Sequence, residues 1–148
     1  IRVGDGIEVD AHLETSAPGV FAAGDVARFP CRALGARVRV EHEDAALTMG
    51  RAAGRNMAGE DEPYQHLPFF YSDLFDLGYE AVGKLDPSLE TVASWKTPFR
   101  EGVVYYLEGD RVRGVLLWGI FGQVEAARQL VAGEQPVRRE ALLGAIQV

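Results

Sequence analysis

Thr15-Ser16-Ala17-Pro18-Gly19-Val20-Phe21-Ala22-Ala23-Gly24-Asp25 is the stretch on which the reading of the fold turns. Ser16-Ala17-Pro18-Gly19 has the composition of a turn. Val20-Phe21-Ala22-Ala23 is a short apolar run, readable as a buried strand that Gly24-Asp25 ends. A glycine at such a strand end lets a ligand approach the backbone closely. An aspartate at the carboxyl end of a parallel strand can accept hydrogen bonds from sugar-like hydroxyls, and ligands bind at those strand ends in doubly wound sheets. Gly-Asp pairs are common, and taken alone this one is better explained as a plain turn. The spacing from Thr15 through an apolar strand to Gly24-Asp25 makes it a candidate site.

Upstream, Ile7-Glu8-Val9-Asp10 alternates apolar and polar residues as a short strand does. Downstream, an irregular Arg-rich stretch leads into Glu41 to Ala58, where the spacing predicts a helix. Ala45, Ala46, Met49, Ala53 and Met57 recur at helical period, and no proline interrupts them. Glu41, Glu43 and Asp44 put negative charge in the first turn, Arg51 and Arg55 put positive charge near the end, and Gly59 is the stop. Glu60-Asp61-Glu62-Pro63 is a polar, proline-containing joint, and the boundary is expected there, dividing residues 1–60 from 61–148.

The second section reads as strands first and helices last. Phe69-Phe70-Tyr71, Tyr79 to Leu85 and Leu89 to Trp95 are expected to be extended, with Asp86-Pro87 parting the last two. Val103 to Leu107 and Val112 to Trp118 flank Glu108-Gly109-Asp110-Arg111, a hairpin signal. Gly122 to Ala132 has helical spacing, Gly133 is its stop, and a short final helix is expected within Arg138 to Ile146. The expected class is α+β: an antiparallel sheet covered on one side by C-terminal helices, preceded by a partial α/β segment.

A chain of 148 residues, 47% of them hydrophobic, suffices for one ordinary domain or two small pieces. The net charge of −7 argues against a nucleic-acid-binding surface. The local groups Arg32, Arg37, Arg39 and Arg138, Arg139 read as solvated faces or anion contacts. One cysteine, Cys31, gives neither an internal disulfide nor a thiol–disulfide centre, and a reducing compartment fits. His12, His42 and His66 lack metal-ligand spacing with it. No Gly-x-Ser-x-Gly is present, so no catalytic nucleophile and no metal are expected. No apolar run reaches the roughly 20 residues that span a bilayer, and the start lacks the pattern of a signal peptide. The first residue is Ile1, and the glycine-rich phosphate fingerprint is missing. A cut piece of a longer chain is therefore expected.

The Thr15 to Asp25 pattern resembles the second FAD-binding motif of flavoproteins with two dinucleotide-binding domains. The resemblance narrows along the chain. Arg37-Val38-Arg39-Val40-Glu41-His42-Glu43-Asp44 and Gly50-Arg51-Ala52-Ala53-Gly54-Arg55-Asn56-Met57 look like the segment that follows this motif in the apoptosis-inducing-factor family. Phe70-Tyr71-Ser72-Asp73-Leu74 and Gly78-Tyr79-Glu80-Ala81-Val82-Gly83 resemble the start of that family's C-terminal domain. Gly102 to Leu107 and Gly114 to Phe121 resemble its later strands.

The resemblance implies cofactor-binding roles for Gly24, Asp25, Glu41, His42, Glu43, Tyr71 and Glu80. Asp25 would meet the ribityl chain of FAD. His42 and Glu43 would face the flavin, at a helix start whose partial positive charge favours a reduced, negative ring. Glu41 and His42 would meet the nicotinamide nucleotide, as would Glu80, and Tyr71 would pack beside the flavin ring. This sequence departs from the family where Glu43 replaces a second histidine and Tyr71 a tryptophan. The region Gly119 to Gly122 also lacks the family's asparagine. The long insertion of the animal proteins is absent as well.

The expected function is thus the C-terminal part of an FAD-dependent NAD(P)H oxidoreductase, inactive alone, which completes the flavin pocket. Its expected partners are the upstream FAD and NAD domains of the same chain, a second copy in a homodimer, and an electron-acceptor protein. Its expected location is cytoplasmic, as in bacterial relatives. Two alternatives stand beside it: a cofactor-free dimerisation module, and a piece of a ferredoxin or rubredoxin reductase.

Overall fold

A computed structural model describes all 148 residues. They form two compact units, Ile1–Pro68 and Phe69–Val148. The polar joint at residues 60–63 falls inside the first unit. Beyond it Tyr64 and Leu67 are buried, and the Tyr64 N–H donates to the Ala11 carbonyl at 2.7 Å. Apolar burial carries the first unit past the charged stretch that marks the joint in the sequence.

In the first unit, β1 (Val3–Gly4), β2 (Gly6–Glu8), β3 (Ala27–Cys31) and β4 (Ala36–Arg39) form one sheet in that order. β2 and β3 run parallel, and the other neighbours are antiparallel. The strand expected at Val20–Ala23 is not there. Residues 13–22 fold back on themselves instead: Thr15 N–H donates to Val20 O at 2.8 Å, and Ala22 N–H to Leu13 O at 3.0 Å. Their backbone groups are satisfied within one tight loop, leaving only isolated bridges such as Glu14 to Phe21.

The Arg-rich stretch, expected to be irregular, is the β3–β4 hairpin. Ala27, Phe29 and Cys31 point inward on alternate positions of β3. Pro30 fits because it lies beyond the two residues, Ala27 and Arg28, that pair with β2.

Helix α1 (Glu43–Met57) buries Ala45, Met49 and Ala53, the spacing that predicts it. It begins two residues later than expected, because His42 is extended (φ −130°, ψ 140°) and serves as its N-cap residue. Gly59 N–H donates to Asn56 O at 2.9 Å and Glu60 N–H to Arg55 O at 3.2 Å, a Schellman closure of the last turn.

The second unit is a five-stranded sheet of β5 (Phe69–Leu74), β6 (Leu77–Gly83), β7 (Glu90–Thr97), β8 (Glu101–Glu108) and β9 (Arg111–Trp118). Its order is β5-β6-β9-β8-β7, with every neighbour antiparallel. Gly109-Asp110 makes the two-residue β8–β9 turn, as the hairpin signal predicts. Helix α2 (Val124–Ala132) packs on β6 and β9 through Ala127 and Val131, and α3 (Arg139–Leu142) lies near β7. The final helix, α3, covers Arg139–Leu142 only, although Leu142 and Ile146 are both buried.

The core holds Val82, Val103, Tyr105, Leu107, Val112, Val115 and Leu117. Gly83, at the end of β6, has φ +78°, and a Cβ there would come within 2.3 Å of the Arg113 carbonyl oxygen. Glycine is what lets β6 and β9 close under α2. This unit is the antiparallel α+β architecture expected from the sequence.

Candidate functional site

The candidate residues fall into two groups, one in each unit. In the first unit, Gly24–Val26 form a single 3-10 turn between the 13–22 loop and β3. Gly24 is buried with φ +76°, a left-handed conformation that side chains resist. Its N–H points at the Met49 sulfur (3.3 Å), and a Cβ on Gly24 would sit 3.6 Å from Ala46 Cβ. The turn is therefore seated on the N-terminal half of α1. Asp25, next in line, is exposed, and its backbone oxygen accepts from Arg39 Nη1 at 3.0 Å.

Arg39 ties the rest of this group together. Its Nη1 also donates to Glu41 Oε1 at 2.6 Å, and its Nε donates to Asp5 at 3.0 Å. The Glu41 bond, with Asp5 second, holds the Arg39 guanidinium above its ordinary value, so it stays a cation. Read from the sequence as a solvated face or anion contact, Arg39 proves to be the link between the Asp25 backbone and the Glu41 carboxylate. Its place two residues before Glu41, on a strand that returns beside the Gly24 turn, is the signal that was available.

His42 ends the extended approach to α1 and is half-buried. Its carbonyl accepts the Ala46 N–H at 3.0 Å, and its side chain does not cap the helix. Glu43 and Asp44 occupy the first turn. The structure thus brings Gly24, Asp25, Glu41, His42 and Glu43 to one place: a left-handed glycine turn beside a helix N-terminus. The positive end of the helix dipole and a fixed arginine favour an anionic or electron-rich ligand there, and Asp25 offers an acceptor for hydroxyls.

The second group is Tyr71 and Glu80. They sit directly opposite each other in the β5–β6 register, so their side chains share a face of the sheet. Tyr71 is 57% exposed and stacks on Phe69, with ring centres 6.2 Å apart. Arg128 of α2 lies over the other aromatic of this pair, 5.5 Å from the Phe69 ring centre. Glu80 Oε2 accepts the Gly122 N–H at 3.1 Å. The turn that lacks the family's asparagine is held by a carboxylate from the neighbouring strand.

Sequence reasoning missed one more cluster at the start of α1. Asp44 Oδ2 and His66 Nε2 are 2.6 Å apart, and the hydroxyls of Thr48 and Tyr64 are 2.8 Å apart. Spacing in the sequence signals neither pair, and no group of three or more His, Cys, Asp or Glu side chains could hold a metal ion. No helix is long and apolar enough to cross a membrane.

Known proteins resemble the chain in both sequence and shape. It is 40% identical over 124 residues to apoptosis-inducing factor 1, mitochondrial, from Dictyostelium discoideum, a match covering 76% of this chain and 23% of that protein. The ferredoxin reductase for the CYP199A2 system of Rhodopseudomonas palustris superposes with a TM-score of 0.81 at 26% identity, covering 94% of this chain and 34% of that one. The covalent putidaredoxin reductase–putidaredoxin complex gives 0.81 at 28% identity, covering 95% and 34%. The chain therefore spans about a quarter to a third of the proteins it matches. A family model described as apoptosis-inducing factor, mitochondrion-associated, C-term, matches residues 53–99 and 95–133. That match takes in more than half of the 148 residues and runs from within α1 through α2, so the chain belongs to the apoptosis-inducing factor C-terminal family.

Proposed function

We propose that the chain is the C-terminal part of an FAD-dependent NAD(P)H oxidoreductase and that its first unit completes the flavin pocket. The observation that carries this reading is the Gly24-Asp25 turn seated against α1, with Glu41, His42 and Glu43 at the helix start. The fit is chemical as well as positional: a left-handed glycine, an exposed carboxylate beside it, and a helix N-terminus suit a polyhydroxylated, electron-accepting cofactor. When bound, FAD supplies the two-electron carrier between a nicotinamide nucleotide and the onward acceptor.

The chain's own residues do the rest. Asp25 holds the sugar-alcohol part through hydrogen bonds. His42 and Glu43 lie at the helix end whose dipole stabilises negative charge. Arg39 keeps the Glu41 carboxylate in place at 2.6 Å. Tyr71 offers an exposed aromatic face on which a ring would pack, and Glu80 would supply a carboxylate for the nucleotide.

The second unit is read as the C-terminal, dimerisation-type domain, with a homodimer, the upstream FAD and NAD domains and an electron-acceptor protein as partners. A relative caught in a covalent complex with putidaredoxin supports the acceptor. A cytoplasmic, bacterial-type location belongs to the same proposal. Without the upstream domains the chain is expected to be inactive.

Flavin titration tests the reading. The intact protein containing this chain should carry flavin absorbance, and Asp25→Ala should weaken FAD binding by about 10- to 100-fold, the size of one hydrogen bond to a charged group. An intact protein with no flavin, or an Asp25→Ala variant that binds FAD as tightly as the parent, would overturn it. Sedimentation of the intact protein tests the homodimer.

A further inference from the structure

We infer that residues 62–66, which begin in the polar joint of the sequence, are a fixed strap along α1, and that the Asp44–His66 pair at its end is a positioning pair for the first turn of that helix. The second half of this inference rests on the flavin reading; the first does not.

Three side chains on one side of α1 take hold of the strap in turn. Asn56, near the C-terminal end, grips it twice. Its Nδ2 donates to Glu62 O at 2.9 Å, and its Oδ1 accepts the Glu62 N–H at 2.8 Å. The same Nδ2 also reaches His12 O at 2.8 Å, tying helix, strap and the loop after Asp10 together. Two turns back, the Thr48 and Tyr64 hydroxyls meet at 2.8 Å. In the first turn, His66 Nε2 meets Asp44 Oδ2 at 2.6 Å. The fastenings run in opposite order on the two segments, 56 to 62, 48 to 64 and 44 to 66, as an antiparallel strap requires.

The strap is also packed. Tyr64 is 8% exposed and stands edge-on to Phe29 of β3, with ring centres 5.3 Å apart. The Tyr64 N–H donates to Ala11 O. Leu67 is 7% exposed. A flexible linker has none of these properties: it exposes its backbone and its side chains.

The last fastening has a consequence for the site. Asp44 follows Glu43 directly, and both belong to the turn whose dipole faces the proposed ligand. A half-buried carboxylate here either stays where the helix N-terminus wants it or swings out to water. Its bond to the His66 ring removes the second choice, because a hydrogen bond to a charged acceptor is among the stronger ones available. Asp44 is thereby held from outside the helix, and His42 and Glu43, two residues and one residue away, are held with it. Asp44 and His66 are offered as positioning residues; nothing assigns them contact with a cofactor.

Hydrogen exchange in the intact protein decides the strap. His66→Ala should speed exchange of the amides of the α1 first turn and of residues 62–67 by about tenfold or more, the loss expected for one charge-assisted hydrogen bond. His66→Gln, whose side-chain N–H can still reach Asp44, should restore most of the protection. Thr48→Val removes the neighbouring fastening and should loosen residues 63–65, which keeps the test alive should His66→Ala fail to fold. Unchanged exchange in His66→Ala or in Thr48→Val overturns the strap.

The flavin reduction potential decides the positioning role. It should move in His66→Ala and return in His66→Gln. Faster exchange with an unmoved potential leaves the strap and overturns the positioning role. An intact protein that binds no flavin overturns the flavin reading and the positioning role with it, while exchange still decides the strap.

Discussion

The two units are held together in different ways. The second has five long strands in unbroken antiparallel order over a core of Val82, Val103, Tyr105, Leu107, Val115 and Leu117. The first has strands of two to five residues and one helix, and polar side chains fasten much of it to backbone. Asp10 and Glu14 bond backbone groups within their own loops, and Arg37, Arg39 and Asn56 bond backbone groups of neighbouring segments. A ladder-and-core unit tolerates change at its surface and fails when its core is opened. A unit of side-chain staples fails one joint at a time, and one of its joints, Arg39, lies beside the proposed ligand site. The difference suits a second unit that is scaffold and a first unit that is pocket wall.

The sharpest way to break this contrast is inside the second core. Tyr105 is fully buried, and burial pushes its phenol above the ordinary value. Tyr105→Ala should destabilise the unit by about 3–5 kcal/mol, the range for deleting a large buried aromatic. Trp95 and Trp118, the two tryptophans, both lie in this unit, so denaturant titration followed by their fluorescence reads the loss directly. A loss below about 1 kcal/mol would place the variant with surface substitutions and end the contrast.

The next effect is expected in the first unit. Gly24→Val forces a β-branched side chain into φ +76°. There is room for a Cβ, at 3.6 Å from Ala46 Cβ, so the cost is conformational and should be about 1–3 kcal/mol. It should appear as weaker FAD binding and a lower unfolding midpoint, measured by flavin release on heating.

The smallest is electrostatic, at the edge of the second unit. Arg139 donates to Glu90 at 2.8 and 3.1 Å and to the Gly109 carbonyl at 2.9 Å, and it pairs with Asp110 as well. The Arg139 hydrogen bond holds the Glu90 carboxyl below its ordinary value of 4.5. A depressed carboxylate adds stability above its unfolded value and loses it as the pH falls through the folded one. Arg139→Ala should therefore lower stability at neutral pH slightly and flatten its fall in acid. Midpoints measured from neutral to below pH 4.5 check this, and an unchanged acid limb would remove Arg139 from the account.

The same contrast explains what could be read from the sequence. The β8–β9 hairpin and α1 announce themselves, because period and turn chemistry are local and the core agrees with them. Val20–Ala23 misleads because an apolar run says nothing about which backbone groups will satisfy it, and here the loop satisfies itself through Thr15 and Leu13. Pro30 hides β3, although Ala27, Phe29 and Cys31 alternate as strand residues do. The site shows the same division. Gly24, Asp25 and the start of α1 are visible as motifs. Arg39 and His66 are not, because their roles depend on partners brought from other segments: Asp25 for one, Asp44 for the other.

Cys31 closes β3 at 5% exposure, and it is the only thiol in the chain. Chemically this is a clock. A thiol reagent modifies Cys31 only when the β3–β4 hairpin opens, so the modification rate under native conditions times the opening of the first unit. The two tryptophans, confined to the second unit, supply an optical reading of the other half. A single preparation thus carries a chemical reporter on one unit and a fluorescent reporter on the other, with no label added.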